Sequence, residues 1–222
     1  MKAINKCSMI WGLILFCSFT ASFGQTKNKN SSEFKIKLFT GAAIPLGEFA
    51  STSGYTAGYA MFGFFVALEG SVPLSKYVEW ELLSNVSINK LNASELTKNV
   101  VPYSASSGSY YSTWFLTGFQ IGSYLSDDSR LYCIADIGLL FSSLPDIKYS
   151  YGDTTLVNIF ESDIAVAYGI GTGFQYKDYN FSIRYLTGTA KYSQKITGNG
   201  IFKSGKAILP NSELLLMVGM TL

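Results

Sequence analysis

Alternation of apolar and polar residues with a period of two runs through most of this chain, and it marks eight strand-like segments: Glu33–Ile44, Gly58–Ser71, Tyr77–Ile88, Thr113–Leu125, Leu131–Ser142, Asp163–Tyr176, Tyr179–Gly188 and Ser212–Leu222. In the third segment Val78, Trp80, Leu82 and Val86 share one side, while Glu79, Glu81, Asn85 and Ser87 share the other. The first sets Phe34, Ile36 and Leu38 against Lys35 and Lys37, and the seventh sets Phe181, Ile183 and Tyr185 against Asn180, Ser182 and Arg184. In the last, Leu214, Leu216, Val218 and Met220 share a face. Most segments run 10 to 14 residues. A tilted strand needs about 9–11 residues to cross a bilayer, whereas a strand of an ordinary globular sheet has about 5–6.

The connections sort by length. Tight turns fall at Val72–Lys76, Ser126–Arg130 and Lys177–Asp178, and long hydroxyl-rich connections at Pro45–Thr56, Asn89–Ser112, Ser143–Ser162 and Thr187–Asn211. Short turns at one end and long loops at the other are the habit of an up-and-down barrel in an outer membrane. The expected fold is therefore all-β, an eight-stranded antiparallel up-and-down transmembrane barrel. An even strand number with both chain ends on the short-turn side predicts periplasmic termini and exterior loops.

Such a barrel is apolar outside and polar inside. Parity then sends Lys35, Lys37, Glu69, Glu79, Glu81, Asp136 and Arg184 into the lumen, four acids against three bases, as an ion network tying strands together. Gly169, Gly171 and Gly173 fall on the lumen face, where small residues relieve crowding. Tyr77, Tyr124, Tyr132, Tyr176 and Tyr179 cluster at the tight turns and are expected in one interfacial girdle. Trp114, beside Tyr110 and Tyr111, is expected in the opposite girdle.

Composition narrows the function classes. The chain is 48% hydrophobic and only 14% charged, yet carries no long apolar run outside residues 1–24. Those residues read as a secretory signal peptide: Lys2 and Lys6, an apolar core from Met9 to Ala21, and Ser22-Phe23-Gly24 before the cut. Residues 25–222 form the barrel domain. Losing Lys2 and Lys6 lowers the basic count from 17 to 15, equal to the 15 acids, so no net charge draws in nucleic acid. Cys133 alone remains of three cysteines, and it is expected to be buried as a small hydrophobe. The absence of histidine removes the Ser-His-Asp triad, the Cys-His dyad and His-containing zinc sites. No catalytic residue, metal ligand or cofactor is expected.

Two motifs fall short of chemistry. Gly200-Ile201-Phe202-Lys203-Ser204-Gly205-Lys206-Ala207 nearly spells a phosphate-binding loop, but Ala207 stands where Ser or Thr should hold Mg²⁺ and no helix pattern follows; it reads as a surface loop. Glu79 and Glu81 lie on one strand face and cannot straddle a sugar ring.

Several short segments carry a family resemblance: Gly41-Ala42-Ala43-Ile44-Pro45-Leu46-Gly47-Glu48-Phe49, Gly70-Ser71-Val72-Pro73-Leu74-Ser75-Lys76, Ala135-Asp136-Ile137-Gly138-Leu139, Gly169-Ile170-Gly171-Thr172-Gly173, and Leu216-Met217-Val218-Gly219-Met220-Thr221-Leu222. With them the chain resembles the outer membrane β-barrel domain family, the OmpA-like eight-stranded proteins also labelled porin-family or PorT-like. It departs in ending on Leu222 where such barrels commonly carry an aromatic residue. The resemblance implies location in the Gram-negative cell outer membrane, contact with its lipid, and folding by the barrel assembly machinery. The expected function is non-enzymatic: a monomeric barrel with a structural or surface-interaction role through exterior loops that touch a surface ligand. The alternatives are a conduit for small solutes or hydrophobic compounds, and a barrel component of a secretion complex.

Overall fold

The computed structural model describes residues 34–54, 56–98 and 104–222. The signal peptide, residues 1–24, lies outside the described residues. The strands are β1 (Lys35–Pro45), β2 (Ala60–Pro73), β3 (Val78–Leu91), β4 (Ser104–Ser107), β5 (Ser109–Ser126), β6 (Ser129–Ser143), β7 (Ile147–Tyr151), β8 (Thr154–Phe160), β9 (Asp163–Tyr176), β10 (Tyr179–Gly198) and β11 (Ile201–Thr221), with short helices α1 (Gly47–Ala50) and α2 (Ala93–Thr97). Eight of the strands close a ring in the order β1-β2-β3-β5-β6-β9-β10-β11, with β11 pairing back onto β1. Every pairing is antiparallel. The up-and-down eight-stranded barrel is thus the fold.

The ladders fix its tilt. From Lys35 the partners run Ser71, Glu81, Gly118, Asp136, Gly169, Leu186 and Glu213, and return to β1 at Pro45, ten residues from the start. With about 3.3 Å per residue and about 4.8 Å between strands, that stagger gives a tilt of about 40° and a radius of about 8 Å. So narrow a barrel has room inside for side chains and little else.

Side chains sort by parity. Phe64, Val66, Ile137, Ile164, Ile170, Phe181, Ile183 and Val218 stand on the outer surface, Phe64 with 71% and Ile170 with 63% of its area exposed. An apolar belt of this kind suits hydrocarbon rather than water. No helix among the described residues is long and apolar enough to cross a membrane.

Two of the expected long loops prove to be strand. Thr187–Asn211 is the outer part of the β10–β11 hairpin, paired without interruption out to Gly198 and Ile201. Ser143–Ser162 holds β7 and β8, which pair with each other, while β8 also pairs with β10. Beyond the lipid belt an outward side chain need not be apolar, so the alternation that marks a spanning strand fades and Ser, Thr, Tyr and Lys take over. Thr and Tyr still favour extended backbone. The hairpin tip was legible: Asn199 and Gly200 take positive φ (50° and 76°), the Asn-Gly signature of a tight β-turn. The P-loop-like segment therefore lies in a strand, with Gly200 at the turn. Outside the ring β4, β7, β8, β10 and β11 form one five-stranded sheet in that order.

Candidate functional site

Along β3, from the tight-turn end to the loop end, the inward residues are Glu79, Glu81, Leu83, Asn85, Ser87, Asn89 and Leu91, all buried. That order of acid, apolar, amide and hydroxyl, then apolar marks successive levels, so the interior is layered rather than uniformly wet.

The charged layer sits toward the tight turns and assembles every residue expected there. Arg184 on β10 donates to Glu81 Oε1 at 2.7 Å and to Asp136 Oδ2 at 3.1 Å, and its other terminal nitrogen bonds Glu69. Lys37 Nζ reaches Glu69 Oε1 at 2.8 Å. Gln120 Nε2 donates to Glu69 Oε1 at 2.7 Å and also bonds Glu81. A second group nearer the turns joins Glu79 to Arg130 at 2.6 Å and to Lys35 at 3.5 Å. Arg130 was missed because it had been assigned to the Ser126–Arg130 turn; its shared parity with Asp136 would have found it. With Arg130 the layer holds four acids and four bases. A buried charge without a partner costs several kcal/mol or takes up a proton, so matching acids with bases offsets part of the cost of burying the layer.

The glycine column makes the space. A Cβ on Gly171 would come within 2.9 Å of Arg184 Cγ, and one on Gly173 would lie 2.4 Å from the Tyr132 ring. Small residues on β9 thus make room for Arg184 of β10 and Tyr132 of β6.

Tyr132, expected at the interface, instead points inward with 1% exposure and lies under both Lys37 and Arg130, each 5.6 Å from the ring centre. On β6 it shares parity with Asp136, so the two cannot face opposite ways. Trp114 is also corrected: it is fully buried, in an apolar layer with Phe39, Phe65, Leu83, Leu116, Leu186 and Leu215. Its indole plugs the barrel above the charges. Cys133 turns outward into the apolar belt instead of being buried, because the face it shares with Leu131 and Ile137 is the lipid face. Tyr77, Tyr124, Tyr176 and Tyr179 do stand exposed beside the tight turns.

Above the apolar layer Ser87 donates to Glu213 Oε1 at 3.0 Å, Asn211 Nδ2 to Ser112 at 2.7 Å, and Tyr192 to Ser142 at 2.6 Å. Glu213, in the middle of β11, escapes a reading that takes only the outward face of the last segment, Leu214 to Met220. Over this lies a second apolar cluster: Phe49 of α1, Tyr110, Leu91, Ile147, Ala190 and Leu209, with Leu96 of α2 and Phe160 packed against it. The outer segments thus fold together as a cap with its own core. Burial there raises the Tyr149 phenol above its ordinary value, with Tyr59 adding to the shift.

The inner part of the charged layer is closed to water. Lys37, Glu69, Glu81 and Arg184 have no accessible side-chain surface, so no water-sized path runs along these four, while Lys35 at the turn end keeps 31% of its own. Among the described residues no group of three acidic, Cys or His side chains is arranged to hold a metal; Glu69, Glu81 and Asp136 share Arg184 instead.

No protein-family model matches this chain, and no curated protein matches it. Among solved structures it is similar to the crystal structure of Neisserial surface protein A (NspA), at 12% identity and a TM-score of 0.40, over 84% of this chain and 96% of that one. The ladders show the eight-stranded antiparallel barrel expected from the sequence.

Proposed function

We propose that this protein is a non-enzymatic barrel of the Gram-negative outer membrane whose lumen is a plug and whose capped outer end is the working surface. The observation that carries this reading is the pairing of a charged cluster closed to water around Arg184 with a folded cap. Energy invested in closing the barrel and in ordering its exterior favours display over transport. Tight turns and termini then face the periplasm, while α1, α2 and the β4-β7-β8-β10-β11 sheet face the medium. Lipid surrounds the belt, the assembly machinery inserts the chain, and the protein acts as a monomer with surface ligands. A conduit would need a path past Arg184, and a secretion-complex role rests on the PorT-like resemblance alone.

Planar-bilayer recording of the full mature chain tests the plug, with no discrete steps expected; reproducible unitary conductance would overturn it. Labelling of an Asn199→Cys variant in a Cys133→Ser background tests the orientation. Reaction with a membrane-impermeant maleimide on intact cells is expected, and protection until the membrane is broken would reverse it.

A further inference from the structure

The five-stranded outer sheet has two edges, and they are treated differently. At one, α2 packs against β4. At the other, β11 runs beyond the reach of β1, whose pairing ends with Pro45 opposite Glu213. Leu46 N–H donates to Ser212 O, which fixes the parity: even-numbered residues of β11 aim their backbone groups away from β10. Phe202, Ser204, Lys206 and Ile208 therefore present both N–H and C=O to an open edge, and Pro210 presents C=O only. No backbone hydrogen bond outside the ladders reaches the first four among the described residues. Although α1 lies against β11, Ile201 to Lys206 and Ile208 are all exposed.

Electrostatics select the occupant. Residues 189–210 contain Lys191, Lys195, Lys203 and Lys206 and no acid. Lys195 is engaged by Glu161 at 2.5 Å, but Lys203 and Lys206, on the open strand itself, form no ion pair among the described residues. They lie on opposite faces of the strand, so they flank the open ladder from both sides. Lysines on an edge oppose pairing with a second copy of the same hairpin, since like charges would meet. They attract an acidic strand.

We propose that the outer edge of β11, Phe202 to Ile208, captures an extended acidic peptide segment of another protein by adding it to the sheet as a further strand. This inference rests on the surface-interaction reading above and names the chemistry of its partner.

The test uses the full mature chain folded in phospholipid vesicles and a short acetylated peptide alternating valine with glutamate. Binding is read by peptide fluorescence anisotropy, and amide hydrogen exchange reports the site. Expected are binding of the acidic peptide and not of its lysine counterpart, with new protection at the amides of Phe202, Ser204, Lys206 and Ile208. Ser204→Pro removes an edge N–H without touching the β10 ladder, and should weaken binding about tenfold, the effect of about 1.4 kcal/mol. Lys203→Glu with Lys206→Glu should reverse the preference toward the lysine peptide. Circular dichroism on each variant shows that the barrel persists. Absence of binding up to about 1 mM, equal binding to the proline variant, or self-association through this edge in place of peptide binding each overturns the inference. Failure of the surface reading is told apart by the Asn199→Cys label: an unreactive tip sinks that reading, whereas a reactive tip with no peptide binding sinks only the edge.

Discussion

Replacing Arg184 with Met removes the guanidinium that three carboxylates share while keeping a side chain of similar length. Lys37 continues to hold Glu69 at 2.8 Å, but Glu81 and Asp136 lose their only basic contact among the described residues. Stranding one partner of a buried pair costs about 3–5 kcal/mol. Two stranded carboxylates should bring the loss to about 5 kcal/mol, a change of more than about 10³-fold in the folding equilibrium. Arg184→Met with Glu81→Gln and Asp136→Asn removes the stranded charges together, and so separates the penalty of stranding them from the worth of the network. That variant should recover to within about 1.5 kcal/mol of the parent, as paired removals of buried ions commonly do. Equilibrium urea unfolding in lipid vesicles measures both, read by the fluorescence of Trp80 on the lipid side and Trp114 inside. A single variant within about 1 kcal/mol of the parent, or a triple variant no more stable than the single, would refute the reasoning.

Three further outcomes follow from the same geometry. Gly173→Ala sets a methyl 2.4 Å from the Tyr132 ring and should cost about 1–3 kcal/mol in urea unfolding; in a Tyr132→Ala background the cost should largely vanish, and strict additivity would show that the two do not collide. Ile170→Arg places a charge on the lipid face of β9 and should cost about 2–4 kcal/mol in bilayers, whereas a neutral result in the same assay would deny that this face meets hydrocarbon. Cys133, set in the apolar belt, should resist a membrane-impermeant maleimide in folded vesicle-bound protein and react in urea, and equal labelling in both states would place it elsewhere.

Much of the charged layer was legible because its strands are asymmetric. In β3 and β10 the polar residues Glu79, Glu81, Ser182 and Arg184 alternate with Val78, Trp80, Phe181 and Ile183, and only one face suits a lumen. β6 carries no such contrast. Arg130, Tyr132, Ile134 and Asp136 alternate with Leu131, Cys133, Ala135 and Ile137, apolar residues on both faces. Tyrosine beside a turn then looks interfacial, cysteine among aliphatics looks buried, and a terminal arginine looks like part of the turn. The interior apolar layer around Trp114 removes the rule that would have decided these cases, since apolarity no longer marks the outside. The outer hairpin escaped for the converse reason: in water both faces of a strand are free to be polar.

Sequence by itself determined the things that need only near neighbours along the chain. Strand, turn and face follow from a period of two, from residues at tight turns, and from the demand that hydrocarbon be met by apolar side chains. Tertiary structure alone decided which inward residues share a height. Arg184 meets Glu69 across 115 positions of sequence, and Glu81 across 103, because closing eight strands with a stagger of ten brings those positions to one level. Stagger is a property of the closed ring, set by hydrogen-bond ladders between strands far apart in the chain, and no local pattern encodes it. The same closure leaves the β1 side of β11 without a paired strand beyond Glu213, which is why one edge of the outer sheet stands open.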